Sequence, residues 1–253
     1  MSVSVTIRDF SKEFQTADGS RLRVLEHIDL QVAPGEFVTI LGPSGCGKST
    51  LLNALSGLDT SFEGQVEIGR SAVGDAKARI AYLFQEPRLL PWRTVRGNIE
   101  FALEAARVPK SEWPVRCNRW LQAVDLSSFA DYFPLQLSGG MQQRVSIARA
   151  FSIEPELLLM DEPFSALDEI TALRMRQLLL SLWEADRRTV LFVTHNSLES
   201  VYLSDRILVM KSGPNSRICD EIGLAHLRRP RKYDDPAQYE TQRIVLDTLM
   251  RYV

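Results

Sequence analysis

Apolar and polar positions along this chain change period several times, and each change predicts an element. Val3 to Ile7 alternates, as does much of Leu22 to Val32, which predicts antiparallel strands with one wet face. The polar run Thr16-Ala17-Asp18-Gly19-Ser20 between them predicts a hairpin-like turn. Phe37 to Leu41 is a nearly continuous apolar run, the pattern of a short strand buried on both faces. Leu51, Leu52 and Leu55 follow at helical spacing, and Gly57 suits the helix end. Gly64 to Ile68 and Ile80 to Phe84 predict two more strands. From Glu86 to Leu137 the chain carries Pro87, Pro91, Pro109, Pro114 and Pro134, with helix-like segments Val95 to Ala106 and Val115 to Val124 between them. This stretch reads as a mainly helical insertion. A helix opens at Ser138-Gly139-Gly140, with Val145, Ile147, Ala148 and Ala150 as its packing surface. Leu157 to Met160 is a further apolar strand, followed by a helix from about Glu169 to Ala185 with Ile170, Leu173, Leu178, Leu182 and Trp183 on its apolar side. Thr189 to Val193 and Arg206 to Met210 close the series of strands. In the tail, Asp235 is placed to cap and Pro236 suits a first helical position, so Ile244, Leu246, Leu249 and Met250 predict an amphipathic helix.

Bulk numbers narrow the class. A chain of 253 residues, 45% hydrophobic and 25% charged, suits one large domain or two lobes. A net charge of −2 provides no global basic field for nucleic acid. No apolar run approaches a membrane span, and the opening MSVSVTIRDF lacks the charge and apolar core of a signal peptide, so the expected location is cytosolic. Cys46, Cys117 and Cys219 lie far apart and read as reduced thiols. Trp92, Trp113 and Trp120 read as the core of the helical insertion, with a partner patch as the alternative. The basic cluster Arg228, Arg229, Arg231 and Lys232 reads as solvated surface, with a membrane or partner contact as the alternative.

Candidate chemistry begins at Gly42 to Ser49, which reads G-x-x-x-x-G-K-S between the predicted strand and helix. Glycines let the backbone fold around an anion with its N–H groups inward, and the helix start adds its own attraction for phosphate. In that pattern Lys48 reaches the outer phosphates and Ser49 holds Mg²⁺. Gln85 follows a strand at the edge where ligands bind in open α/β sheets, an ambiguous signal by itself. Ser138-Gly139-Gly140 is either a second anion-binding surface or a plain helix cap. Asp161 and Glu162 end a buried strand, and neighbours on a strand point to opposite sides. One can therefore serve a metal, as Asp161 fits, while the other faces a reacting water, as Glu162 fits. His195 ends a strand at the same edge as these groups, which favours a γ-phosphate contact over a structural role. Phe14, before the turn, could stack on a base, although alone it reads better as a core or surface aromatic.

Taken in order, this set resembles the ATP-binding subunit of an ABC transporter, strongly over residues 3 to about 211 and moderately in the tail. Walker A is Gly42 to Ser49, the Q-loop glutamine Gln85, the signature Leu137 to Gln142 and Walker B Leu157 to Glu162. The D-loop is Ser165 to Asp168, the switch histidine His195, and Phe14 looks like the A-loop aromatic. The stretch Gln85-Glu86-Pro87-Arg88-Leu89-Leu90-Pro91-Trp92-Arg93-Thr94-Val95 is similar to that of nitrate, sulfonate and taurine importers. So are Met141-Gln142-Gln143-Arg144, Asp161 to Phe164 and the R-R-P-R region of the tail. Three positions depart from the family pattern. Asn196 stands where aspartate is usual, Ser200 where alanine commonly follows the glutamate, and Thr171-Ala172 lacks the arginine often found after the threonine.

The resemblance implies an α/β fold: a P-loop NTPase (RecA-like) core with an N-terminal antiparallel β subdomain and a helical insertion, of the ABC-ATPase type. Residues 1–211 would be the ATP-binding domain, with a helical subdomain at about 86–150 inserted, and 212–253 a tail with an amphipathic helix. It implies that Phe14 stacks on adenine and that Gly42, Pro43, Ser44, Gly45, Cys46, Gly47, Lys48, Ser49 and Thr50 hold the phosphates. Ser49, Gln85 and Asp161 would bind Mg²⁺, and Ser138, Gly139, Gly140 and Gln142 of a second copy would grip the γ-phosphate. Asp168 would connect the two sites, Glu162 would be the general base, and His195 would act beside Lys48 and Gln85 in catalysis. The implied cofactors are ATP and Mg²⁺. The implied partners are a second copy, transmembrane permease subunits and, indirectly, an extracytoplasmic solute-binding protein, with no nucleic acid. The implied place is the cytoplasmic face of the inner membrane, and the implied task is import of an oxoanion or organosulfur compound of the nitrate, sulfonate or taurine type. Two other classes compete. A non-transport ABC ATPase acting on DNA or ribosomes usually has two cores, a long coiled-coil insertion or zinc cysteines, and the sequence shows none of them. A nucleotide-sensing module without turnover is disfavoured by the intact Glu162.

Overall fold

The alternating N-terminal segments pair as their period requires. In the computed structural model, which describes residues 2–17, 19–69, 71–74 and 78–252, β1 (Val5–Gln15) runs antiparallel to β2 (Arg21–Val32), with Val5 opposite Val32 and Phe14 opposite Leu22. The turn between them is closed by the Thr16 N–H on Ser20 O and the Gly19 N–H on Thr16 O, both 2.9 Å. Asp18 of the expected turn lies outside the described residues. The apolar run becomes β3 (Phe37–Leu41), buried at every position, and leads through the glycine loop into α1 (Lys48–Leu55). Leu51, Leu52 and Leu55 are fully buried, and Gly57 ends the turn at a φ of +76°. β4 (Glu63–Ile68) then pairs with the free side of β1, and β5 (Ser71–Ala72) adds a short edge.

The chain divides into two compact units, Met1–Ala78 with Arg188–Val253, and Arg79–Arg187. The second is built on β6 (Ile80–Leu83), α2 (Val95–Ala105), α3 (Trp113–Ala123), α4 (Gly139–Ser152), β7 (Leu157–Asp161) and α5 (Glu169–Ala185). β6 and β7 are parallel, with Tyr82 opposite Leu159. The expected packing surface of α4 is buried throughout. That of α5 is corrected: Ile170 is 66% exposed, Leu173, Leu178 and Leu182 are half-buried, and the inward face is Ala172, Met175, Leu179, Leu180 and Trp183. Arg176 joins that face, its guanidinium paired at 2.5 Å with Glu169, so a charged residue sits where a purely apolar count finds no core position. The tryptophans split. Trp120 packs against Phe151, Trp113 is half-buried with its indole N–H on Val108 O at 2.9 Å, and Trp92 is 71% exposed.

The first unit resumes with β8 (Thr189–Thr194), α6 (Ser197–Leu203), β9 (Arg206–Met210), β10 (Ile218–Gly223) and α7 (Pro236–Met250). β3 lies between β8 and β9, parallel to both, and β10 pairs antiparallel with β9. Asp235 caps α7 by accepting from the Ala237 N–H, as expected, but the predicted apolar face is corrected. Of its four residues only Leu249 is buried, while Ile244, Leu246 and Met250 are exposed. Val245 and Leu249 pack on Leu41, Val201, Ile207 and Leu224, and the rest of the inward face is Gln238, Thr241 and Thr248. Those polar positions are tolerable because local acceptors are at hand, as in the Thr241 hydroxyl on Ala237 O at 2.7 Å and the Gln238 amide on Lys232 O at 2.7 Å. The basic cluster is corrected in half: Arg228 and Lys232 are exposed as expected, but the other two arginines are not. Arg231 is buried with its guanidinium on Val201 O, and Arg229 bonds Leu203 O at 2.8 Å and Asp205 at 3.0 Å. Among the described residues no helix is long and apolar enough to cross a membrane.

Candidate functional site

β3 delivers the chain to Gly42, whose N–H donates to Thr194 O at 3.4 Å. A Cβ on Gly42 would lie 2.9 Å from Cys46 Sγ, and one on Gly47 would lie 2.6 Å from Leu25 Cδ2. Gly47 also holds a φ of +94° as the residue capping α1. No other residue type fits that conformation and that gap together. The tight loop folds Lys48 back over itself. Its ammonium, only 4% exposed as a residue, donates to Gly42 O and Pro43 O, both at 2.9 Å. A buried cation at a helix start is a site suited to an anion. Ser44, Gly45 and Ser49 face solvent around it.

The parallel register that sets Leu41 opposite Thr194 puts His195 at the same strand end as Gly42. A small network fixes this corner. The Thr194 hydroxyl donates to the buried Glu199 carboxylate at 2.6 Å and accepts the Asn196 N–H at 3.0 Å. Asn196 Oδ1 accepts from the Leu198 and Glu199 N–H groups at 2.9 and 3.2 Å, capping α6. The departure from aspartate thus keeps the acceptor that starts this helix. Phe14 is 42% exposed, with the Lys12 ammonium 4.9 Å from its ring centre. It lines a recess of about 420 Å³ with Glu13, Arg21, Thr60 and Glu63, and none of the lining residues belongs to the glycine loop.

In the second unit, the Gln85 amide donates to Ser165 Oγ at 3.1 Å, and that hydroxyl donates to Glu162 O at 3.0 Å. Strand alternation does not aim Glu162, which corrects the expectation. β7 ends at Asp161, and Glu162 takes a left-handed φ of +44° that an L-residue adopts only when its surroundings enforce it. The Tyr82 hydroxyl lies 3.5 Å from Asp161 Oδ2. Burial first, and then the Asp161 charge, pushes its pKa far above the usual phenol range, so it stays a donor.

Ser138 caps α4, its Oγ accepting the Met141 N–H at 3.3 Å, and Gly139 opens onto free space. A Cβ on Gly140 would meet Thr171 Cγ2 at 2.7 Å, so α4 and α5 approach closely there. The Gln142 amide is engaged by its own loop, donating to Pro134 O at 3.0 Å and Leu137 O at 3.3 Å. Asp168 caps α5 by accepting the Thr171 N–H at 3.0 Å, and hydrogen bonds from Thr171 hold its carboxyl below the usual range.

Beside these groups the second unit carries an apolar groove of about 480 Å³, lined by Tyr82, Phe84, Phe101, Ala102 and Ala105 together with Arg79, Arg88 and Arg149. Phe84 stacks on Tyr82 with centroids 4.1 Å apart, and the Arg88 guanidinium lies 3.9 Å from the Phe84 ring centre. Sequence reasoning did not find two of the residues that shape this region. Arg149 donates to Pro87 O at 2.8 Å and Arg88 O at 2.9 Å, and burial lowers its pKa. Asn98, fully buried, clamps the segment from Leu90 to Thr94. A polar residue at a core position of a helical pattern was the available signal for Asn98.

A glycine loop around a buried lysine, a second glycine-opened helix and a strand that ends in Asp161 with Glu162 directly after it define an ATP-binding cassette ATPase. The ABC transporter family model matches residues 25–165, and the chain belongs to that family. It is 42% identical over 249 residues to an uncharacterized ABC transporter ATP-binding protein of Methanocaldococcus jannaschii, covering 98% of this chain and 92% of that one. It is 42% identical over 212 residues to the aliphatic sulfonates import ATP-binding protein of Bacillus cereus, covering 84% of this chain and 83% of that one. It is 41% identical over 251 residues to the bicarbonate transport ATP-binding protein of a Synechocystis strain, covering 97% of this chain and 88% of that one. Among solved structures it is similar to an ATP-binding cassette dimer in a post-hydrolysis state bound to ADP and Pi. The TM-score is 0.76 at 33% identity, covering 87% of this chain and 98% of that one.

Proposed function

We propose that this chain is the ATP-binding and ATP-hydrolysing subunit of an importer for a small oxoanion or organosulfur compound, acting as a pair with a second copy of itself. The observation that carries the nucleotide reading is the Lys48 cradle, a buried ammonium turned onto loop carbonyls behind glycines that admit no Cβ. The import reading is supported by the relatives whose names specify sulfonate import and bicarbonate transport.

In this reading Gly42 to Thr50 hold the phosphates and Phe14 stacks on adenine. Ser49, Gln85 and Asp161 offer hydroxyl, amide and carboxylate oxygens, the hard donor set that Mg²⁺ takes alongside phosphate and water. The metal, when bound, neutralises phosphate charge. Glu162 takes a proton from the attacking water as its oxygen bonds to the γ-phosphorus and the bond to the β-phosphate oxygen breaks. His195 and Lys48 stabilise the charge on the transferred group. Ser138, Gly139 and Gly140 grip the γ-phosphate bound to the other copy, with Gln142 shaping their loop and Asp168 linking the two sites. Hydrolysis then requires closure of the pair, so ATP acts as a ligand for the closed state. The groove between Phe84 and Phe101, with Trp92 exposed in the same unit, receives a helix of a transmembrane permease subunit. The chain is thereby peripheral to the membrane, and an external solute-binding protein reaches it only through the permease.

Sedimentation of Glu162→Gln tests this. The variant should be a monomer without nucleotide and a dimer with ATP and Mg²⁺, and Ser138→Arg should abolish the dimer. A wild-type chain that neither hydrolyses ATP nor, as the variant, dimerises with it would overturn the reading.

A further inference from the structure

We propose that Tyr82 is a positioning residue that ties the apolar groove of the second unit to the Asp161 carboxylate. Its ring forms part of the groove wall, and its hydroxyl addresses Asp161 Oδ2 at 3.5 Å. The inference rests on the metal role proposed for Asp161.

The strand pairing produces this arrangement. β6 ends at Leu83, and the Phe84 ring, just beyond it, lies on the same face as Tyr82, against which it stacks. With Tyr82 opposite Leu159 on parallel β7, Asp161 falls on that face two residues further along. The Tyr82 and Phe84 rings stack at 4.1 Å, and the Arg88 guanidinium covers the Phe84 ring at 3.9 Å. A side chain entering the groove therefore meets a stacked column whose far end is the hydroxyl. At 3.5 Å the contact is long beside the roughly 2.5–2.7 Å of a tight O–H···O⁻ bond. A small shift of the ring decides whether this hydrogen bond tightens or is lost. Groups one bond removed from a metal ligand commonly alter metal affinity by about 10- to 100-fold, because they fix the ligand's orientation.

Tyr82→Phe removes the hydroxyl and keeps the ring. Equilibrium binding of ATP to the full chain, with Mg²⁺ and in a chelator, reads its role without turnover. The variant should bind Mg²⁺-ATP about tenfold more weakly and metal-free ATP as the wild type does. Ala105→Trp, at an exposed position lining the groove, mimics an occupant. It should shift Mg²⁺-ATP affinity in the wild-type background and leave it unmoved in Tyr82→Phe. Equal shifts in both backgrounds would overturn the link, as would unchanged Mg²⁺-ATP binding in Tyr82→Phe. Asp161→Asn separates the two readings. If it weakens Mg²⁺-ATP binding while Tyr82→Phe does not, only the link fails. If it changes nothing, the metal role of Asp161 fails and the link falls with it.

Discussion

Asn98 offers a stability test whose magnitude can be worked from its bonds. Its side-chain oxygen accepts the Leu90 N–H at 2.8 Å, and its amide donates to Leu90 O, Arg93 O and Thr94 O at 3.2, 3.1 and 3.0 Å. Two of those carbonyls keep another donor when the side chain is lost, since Leu90 O also accepts the Arg93 N–H and Thr94 O the Asn98 N–H. Asn98→Ala therefore strands the Leu90 N–H and the Arg93 carbonyl. At about 1–3 kcal/mol for a buried group left unpaired, and with both groups on half-buried residues where water replaces part of the loss, the cost is about 2 kcal/mol, or a melting temperature lower by about 4–8 °C. Asn98→Asp separates hydrogen bonding from packing. It keeps the outline and the acceptor for Leu90 but turns an oxygen toward three carbonyls, so at neutral pH it should be at least as damaging. Acidification should recover part of the loss by restoring an O–H donor. Thermal melts by circular dichroism, with hydrogen exchange at the Leu90 amide, read both effects. Wild-type stability of Asn98→Asp at pH 7, or a loss under about 1 kcal/mol for Asn98→Ala, would refute the clamp.

Two further outcomes follow from the glycine loop and its neighbour. Gly47→Ala meets both a φ of +94° and a 2.6 Å contact with Leu25, so ATP binding measured by calorimetry should fall more than about tenfold, as expected where a loop must reshape. Asn196→Asp keeps the acceptor that caps α6 and should melt within a degree or two of wild type. Asn196→Ala should cost about 1 kcal/mol, and equal melting of all three would show that the cap contributes nothing.

The elements that carry the nucleotide chemistry were legible because each rests on local pattern. The buried run of β3, the glycines of the loop and the leucines of α1 announce themselves within twenty residues. What escaped depends on partners distant in sequence. The inward face of α7 holds two threonines and a glutamine, which only make sense once Ala237 O and Lys232 O are seen beside them. Arg229 and Arg231 looked like surface charge because their acceptors, Leu203 O and Val201 O, belong to α6, well upstream of the loop that carries them. Glu162 was read by strand alternation, although the strand stops one residue earlier and the backbone turns left-handed. α6 was missed because seven residues carry too little periodicity to show a face.

The parallel arrangement around β3 has a consequence for how the polypeptide is made. β3 ends at Leu41, and the strands on its two sides begin only at Thr189 and Arg206. A ribosome therefore releases the glycine loop on a buried-type strand, apolar but for Thr39, that finds neither flanking strand until residues 189–210 have emerged. The unit Arg79–Arg187 is continuous in sequence and closes on itself in the meantime. Translation interrupted before Arg188 leaves that unit complete and the strand bare, a template for pairing with other nascent chains. The arginines that fasten α6 come after β10, so the helix after His195 becomes fully anchored only once that later segment has been made.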